Sequence, residues 1–173
     1  SAASLAARGW QVSLLERHEG LAQEASGNPQ GVLYLKLSAH GTALSQMIVS
    51  GFGHTRRLLE HLQRGVDWDA CGVLQLAFNA KEAERQAQLA QAFAPDLLHL
   101  LDRDQAQARA GVGLAYGGLF FPEGGWVHPP ALCQWQARQP GITVHVLHEA
   151  LELRKVDEQW QAWDGDRLLA SAP

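Results

Sequence analysis

The stretch that most constrains the fold is residues 11–31, QVSLLERHEGLAQEASGNPQG, together with the alanine-rich run before it. Residues 1–8 have high helix propensity, and Gly9 supplies a stop. An apolar run follows and ends at Glu16, as in a parallel strand covered on both faces. This order is that of the second half of a nucleotide-binding βαβ unit, in which the acid accepts hydrogen bonds from an adenosine ribose. An ordinary α/β crossover whose strand ends in glutamate is the alternative.

Composition narrows the class of protein. The chain has 173 residues, is 46% hydrophobic and can bury a core as one domain or two small interwoven ones. Its net charge of −4 argues against a dedicated nucleic-acid-binding module, because such modules are usually basic. Cys71 and Cys133 have no metal-binding spacing, so we expect buried thiols in a reducing compartment. No signal peptide or long apolar run is visible, which favours a cytoplasmic protein without membrane contact.

Both ends of the sequence interrupt an element. Residues 1–8 have the composition of a helix body without a cap or a preceding strand, and Pro173 directly follows a strand-like run. We therefore interpret the chain as an internal fragment of a longer protein.

Between the ends, helices alternate with strands. The clearest helix is predicted at 42–63, where apolar residues at helical spacing form one broad core-facing side. These are Leu44, Met47, Ile48, Phe52, Leu58, Leu59 and Leu62. Asn79 and Asp102 each cap a further helix, with Glu or Gln three residues later, and the prolines at 129 and 130 open another. Strands are predicted at 71–78, 142–147, 150–156, 159–163 and 168–172, the last two joined by an Asp-Gly-Asp hairpin turn.

The sequence lacks the motifs of several common metal-binding and catalytic sites. None of the eight histidines belongs to an HExxH motif or has a cysteine pair at zinc spacing, so no metal site is predicted. GxSxG and Walker loops are also absent.

Lys36 interrupts an apolar run just after the loop at 26–31. A solvated lysine at a strand end is the simpler explanation, and a place beside a cofactor or an anionic substrate is the alternative.

Five segments together resemble the D-amino-acid-oxidase-like family of FAD-dependent oxidoreductases. They are LLER at 14–17, ASGNPQG at 25–31, LKLSAHGT at 35–42, GVLQLAF at 72–78 and GGLFFPEGGWVHPPALC at 117–133. More specifically, they resemble the flavin domain of bifunctional bacterial enzymes that modify the wobble uridine of tRNA. The resemblance covers essentially the whole chain and departs at Leu35, where the family more usually has proline.

The resemblance implies an α/β fold with two parts. Residues 1–70 and 123–173 would form a Rossmann-like FAD-binding domain, without the first strand and phosphate loop, which belong before Ser1. Residues 71–122 would be part of an inserted α+β substrate domain.

Carried over residue by residue, the resemblance also implies a set of site residues. Glu16 would bind the adenosine ribose, with Arg17 beside it, and the backbone of Ala150 would contact the adenine. The pyrophosphate and flavin would be lined by Ser26, Gly27, Asn28, Gln30 and Gly31. Lys36, Trp126 and His128 are candidates for the substrate, although Trp126 could equally serve core packing. No catalytic residue is assigned.

The implied activity is oxidation of a carbon–nitrogen bond with FAD as the hydride acceptor. The substrate would be carboxymethylaminomethyl uridine in tRNA, which would lose its carboxymethyl group as glyoxylate. The fused methyltransferase domain of such enzymes lies outside this chain, neither a membrane nor a metal is implied, and we expect the fragment alone to be inactive. Two alternatives remain open: a small-molecule amine oxidase acting on glycine or sarcosine, and a non-catalytic binding domain of the same fold.

Overall fold

The computed structural model describes residues 1–173 and divides into two compact units. The first unit comprises Ser1–Pro29 and Pro129–Pro173, and the second comprises Gln30–His128. The boundaries therefore differ from the predicted ones, because 30–70 and 123–128 belong to the second unit. These ranges belong to the second unit because the strands Gly31–Leu33 and Trp68–Asp69 both pair with the strand Gly125–Val127. The assignment of a cofactor and a substrate domain stays a prediction.

The elements are numbered in chain order. They are α1 (Ala2–Ala6), β1 (Val12–Leu15), β2 (Gly31–Leu33), α2 (Ala43–Leu59), β3 (Trp68–Asp69), β4 (Val73–Leu76), α3 (Ala80–Ala92), β5 (His99–Leu101), α4 (Arg103–Ala110), β6 (Gly118–Phe121), β7 (Gly125–Val127), α5 (Pro129–Ala137), β8 (Ile142–His145), β9 (Glu152–Val156), β10 (Gln159–Asp164) and β11 (Arg167–Ala172), with a 3-10 turn at Ala25–Gly27. No helix is both long and apolar enough to cross a membrane.

The first unit is built on a parallel pair of strands. β1 pairs with β8 in the register Val12 to Ile142, so the predicted parallel strand is confirmed. Gly141 precedes β8 with a φ of +85°, and a Cβ there would lie 3.2 Å from the carbonyl oxygen of Trp10. Glycine therefore serves both the left-handed backbone at this position and its close approach to the connection between α1 and β1. The same unit holds the predicted antiparallel strands, in the order β11-β10-β9.

The second unit contains two three-stranded sheets, β2-β7-β3 and β4-β6-β5, with helices α2, α3 and α4. The predicted caps are confirmed. Asn79 Oδ1 accepts a hydrogen bond from the Glu82 N–H at 2.8 Å. Asp102 and Gln105 form a reciprocal capping box with distances of 2.8 and 3.0 Å, and Gly111 ends α4 at a φ of +70°.

The core lies almost entirely in the second unit. Eleven of the twelve buried apolar residues belong to it: Leu35, Leu37, Phe52, Leu59, Trp68, Leu89, Leu98, Ala106, Leu119, Phe120 and Phe121. The core contains neither cysteine: Cys71 is exposed and Cys133 half-buried, so the prediction of buried thiols was wrong.

The core-facing side of α2 is narrower than predicted. Phe52 and Leu59 are buried, but Leu44 and Met47 are 65% and 74% exposed, so the prediction was wrong for those two. The reason is that the buried stripe of α2 is centred on Ser45, Phe52 and Leu59, seven residues apart. Ser45 is tolerated there because its hydroxyl donates to the Ser38 carbonyl at 3.3 Å.

Candidate functional site

A cavity of about 490 Å³ lies in the first unit, at the carboxyl end of β1. Its volume falls in the range of roughly 300–1,000 Å³ that is usual for small-molecule sites. The walls come from α1, β1, the following loop and α5. The lining residues are Ser1, Ala2, Leu14, Glu16, Arg17, Leu21, Ala22, Gln23, Glu24, Ala25, Ser26, Cys133, Gln136 and Ala137.

Glu16 is held at this cavity by the strand ladder. Its N–H donates to the His145 carbonyl and its own carbonyl accepts from the His148 N–H, both at 2.9 Å. One carboxylate oxygen, Oε1, accepts the backbone N–H of His18 at 2.9 Å. The other oxygen has no hydrogen bond within the protein, so it is free to accept one from a ligand hydroxyl.

Arg17 follows Glu16 and is bound to two acids. Its guanidinium forms ion pairs with Glu24 and, at 3.5 Å, with Glu149. Glu24 also contacts His18, with 2.9 Å between Nε2 and Oε1. The hydrogen bond from His18 and then that from Arg17 lower the pKa of Glu24, and the hydrogen bond to Glu24 raises the pKa of Arg17.

The loop after β1 folds back on itself around Glu24. The Gly27 N–H donates to the Glu24 carbonyl at 2.8 Å, which closes the 3-10 turn that contains Ser26. A Cβ at Gly27 would lie only 2.8 Å from the Ala22 carbonyl oxygen, so the position requires glycine. Asn28 completes the loop by donating from Nδ2 to the Ala25 carbonyl at 3.0 Å.

The predicted cofactor residues are brought together in part. Glu16, Arg17 and Ser26 line the same cavity, and the turn that presents Ser26 is stabilised by Gly27 and Asn28. Ala150, in the same unit, is exposed and is not among the lining residues. Gln30 and Gly31 belong to the second unit, where Gly31 pairs with Val127.

The three substrate candidates all lie in the second unit. Lys36 is exposed between buried Leu35 and Leu37, as expected for the solvated side of an extended segment. Trp126 is half-buried in β7, opposite Val32 and Asp69.

His128 follows β7, and its N–H donates to the Asp67 carbonyl at 2.6 Å. The structure contains no group of three or more His, Cys, Asp or Glu side chains that could hold a metal ion.

Sequence reasoning missed Glu24, which lines the cavity, and His18 and Glu149, which join Glu24 and Arg17 in one group of polar contacts. The contact of Glu149 with Arg17 joins two separate segments, and the segment around His18 and Glu24 has no periodicity that would predict its contacts. It also missed the α5 side of the cavity, where Cys133, Gln136 and Ala137 lie at helical spacing.

The sequence matches a known protein family over nearly its whole length. A model of the family described as "DAO: FAD dependent oxidoreductase" matches residues 1–169. The tRNA 5-methylaminomethyl-2-thiouridine biosynthesis bifunctional protein MnmC of Pseudomonas fluorescens strain Pf-5 is 83% identical over 172 residues, or 99% of this chain and 26% of that protein. The protein of the same name from Pseudomonas putida strain KT2440 is 76% identical over the whole chain, again 26% of its length. The chain thus spans about a quarter of these curated relatives.

Solved structures show the same fold at low identity. Glycine oxidase from Bacillus cereus has a TM-score of 0.71 at 20% identity, covering 97% of this chain and 50% of that one. A thermally stable mutant of fructosyl peptide oxidase has a TM-score of 0.74 at 12% identity, covering 98% of this chain and 44% of that one. At such identities the likeness concerns the fold alone.

Proposed function

The chain belongs to the DAO family of FAD dependent oxidoreductases, and from this membership we propose that its first unit binds FAD within a tRNA-modifying oxidase. The protein would oxidatively remove the carboxymethyl group from carboxymethylaminomethyl-(thio)uridine at the wobble position. One observation carries this proposal: the 83% identity to a bifunctional protein named for tRNA 5-methylaminomethyl-2-thiouridine biosynthesis. We place the reaction in the cytoplasm, and the fused methyltransferase activity belongs to segments outside this chain.

The chemistry of the cavity fits the adenosine end of the cofactor. Glu16 is half-buried, fixed by the strand ladder and has one carboxylate oxygen without a partner, which supports a hydrogen bond from a ribose hydroxyl. The turn with Ser26, Gly27 and Asn28 is proposed for the diphosphate. The remaining cofactor contacts are proposed for Gln30, Gly31 and the backbone of Ala150. When bound, FAD supplies the two-electron redox chemistry, while the protein supplies binding and orientation.

The proposed change in the substrate is loss of the bond between the secondary amine and the carboxymethyl carbon. Oxidation of that bond followed by addition of water leaves aminomethyl uridine and releases glyoxylate. Lys36 is proposed to pair with the substrate carboxylate, since its ammonium group is exposed and has no acidic partner in the structure. Trp126 is proposed to stack on the extruded base, with His128 nearby in sequence.

The charges of this chain bear on how tRNA would bind. Arg56, Arg57 and Arg64 could each contribute a local phosphate contact. Arg56 pairs with Glu123, and Arg64 pairs with Asp69 at 2.8 Å. Arg57 is exposed without such a pair. With a net charge of −4, the chain offers little basic surface, so we propose that most phosphate contacts come from other segments.

The decisive experiment compares substrates on the full-length protein. It is incubated with tRNA carrying carboxymethylaminomethyl uridine and, separately, with glycine and sarcosine. We expect mass spectrometry to show conversion of the tRNA nucleoside with release of glyoxylate, and the purified protein to show a flavin absorbance spectrum. Faster turnover of the free amino acids with an unchanged nucleoside would instead indicate a small-molecule amine oxidase, and a colourless protein would indicate a binding domain.

A further inference from the structure

We infer that Arg17 is a positioning residue that holds the wall of the cavity through Glu24, and is not itself a ligand of the cofactor. The inference rests on the proposed function for the identity of the bound group. The family resemblance, through the segment LLER at 14–17, implies that Arg17 is a cofactor-binding residue. Its partners in the structure favour a different role.

The guanidinium of Arg17 joins two separate segments of the first unit. One terminal nitrogen, Nη2, binds Glu24 in the loop after β1. The other, Nη1, lies 3.5 Å from Glu149 in the connection between β8 and β9. Two charge-assisted contacts to acids on different segments suit the planar, forked guanidinium, and they engage both of its terminal nitrogens.

Fixing Glu24 also fixes the turn that follows it. Its side chain accepts from Arg17 and contacts His18, while its carbonyl accepts the Gly27 N–H at 2.8 Å. The segment contains Ala22 at a φ of +61°, a conformation that non-glycine residues adopt only when their surroundings hold them there. Ala22, Glu24 and Ser26 all line the cavity, so the anchoring of Glu24 determines the shape of this wall.

The pairing also removes a charge conflict. Glu16 and Glu24 both line the cavity, and an unpaired Glu24 would present a second negative charge to an anionic diphosphate. Arg17 and His18 both contact the same oxygen of Glu24, Oε1. Arg17 therefore supports binding of an anion indirectly, by neutralising Glu24.

A double-mutant cycle separates this role from direct contact. FAD dissociation constants are measured for the full-length protein and for its Arg17→Met, Glu24→Ala and double variants. If Arg17 acts through Glu24, Arg17→Met should weaken FAD by roughly threefold to tenfold alone and have almost no further effect in the Glu24→Ala background. An equal loss in both backgrounds would show direct contact and overturn the inference.

A second measurement does not depend on FAD. Hydrogen exchange of residues 18–29 is followed in the cofactor-free full-length protein. Arg17→Met and Glu149→Gln should both accelerate exchange of the Gly27 amide, whereas Arg103→Met, which removes an arginine paired with Asp104 in the second unit, should not. Unchanged exchange of the Gly27 amide in the Arg17→Met and Glu149→Gln variants would contradict the positioning role of Arg17. If the wild-type protein holds no FAD at all, the proposed function fails while the exchange result still tests the inference.

Discussion

The two units of the molecule are stabilised in different ways. The second unit holds eleven of the twelve buried apolar residues, whereas the first holds only Ala137. The first unit instead relies mainly on the ladder between β1 and β8 and a three-stranded antiparallel sheet, with exposed ion pairs around Arg17 that add less. Parallel strands are normally covered on both faces, yet the four residues of β1 are at best half-buried. The candidate site thus lies where polar contacts determine the structure and apolar burial contributes less.

The largest expected effect is on the stability of the second unit. Leu119 in β6 is fully buried, so Leu119→Ala should cost about 2–5 kcal/mol of unfolding free energy through lost burial and a cavity. Leu15 in β1 is the matched position in the first unit, and because it is only half-buried, Leu15→Ala should cost about 1–2 kcal/mol. Urea denaturation of the full-length protein measures both. Equal costs would mean that the contrast in burial does not govern stability.

The next effect is on ligand binding in the first unit. Glu16→Ala in the full-length protein should weaken FAD by about 1–3 kcal/mol, the scale for losing a charged hydrogen-bond acceptor. Glu84→Ala removes an exposed glutamate from α3 in the second unit and should leave the affinity unchanged. Isothermal titration gives both values. A Glu16 variant with wild-type affinity would remove this residue from the site.

A smaller effect is expected at a helix terminus of the second unit. Asp102→Ala removes half of the capping box of α4 and should cost about 1 kcal/mol of stability, while Asp102→Asn should cost less because asparagine also caps well. The midpoint of urea unfolding reports the difference. An equal loss of unfolding free energy in both variants would indicate that Asp102 stabilises the helix by its charge and not by its hydrogen bond.

Local signals in the sequence predicted much of this structure. The cap of α4 depends on Asp102 and Gln105, three residues apart, and the hairpin depends on Gly165, so both can be read from neighbouring residues. The parallel strand β1 was also predictable, because an apolar run between a glycine turn and an acid fits few other elements. The placement of Glu16 and Ser26 at one cavity came from family resemblance.

Features that depend on distant contacts were not predictable in this way. Helical spacing showed that α2 has an apolar side, but it could not show that Ser45 lies at the centre of the buried stripe while Leu44 is exposed. The boundaries of the units depend on the pairing of β2 and β3 with β7, which lies far along the chain. Arg17 and Glu149 are 132 positions apart in the sequence, so no local sequence pattern predicts their contact.

The smallest expected effect is a change in the pKa of Glu24. It tests the ion pairs of the first unit alone. The contacts with His18 and Arg17 hold the pKa of Glu24 below its ordinary value of 4.5. Since the unfolded chain binds a proton more readily at this site, the pairing stabilises the folded state above that ordinary value, and the benefit is lost as pH falls through the lowered pKa. Glu24 is exposed, so the contribution is small and should diminish in high salt.

An NMR titration of Glu24 in the full-length protein should show a lowered pKa that rises towards 4.5 in the Arg17→Met variant, with no such change in Arg103→Met. A pKa of Glu24 that is the same in all three proteins would mean that Arg17 does not stabilise the charged carboxylate, and the first unit would then owe its order to the strand ladders alone.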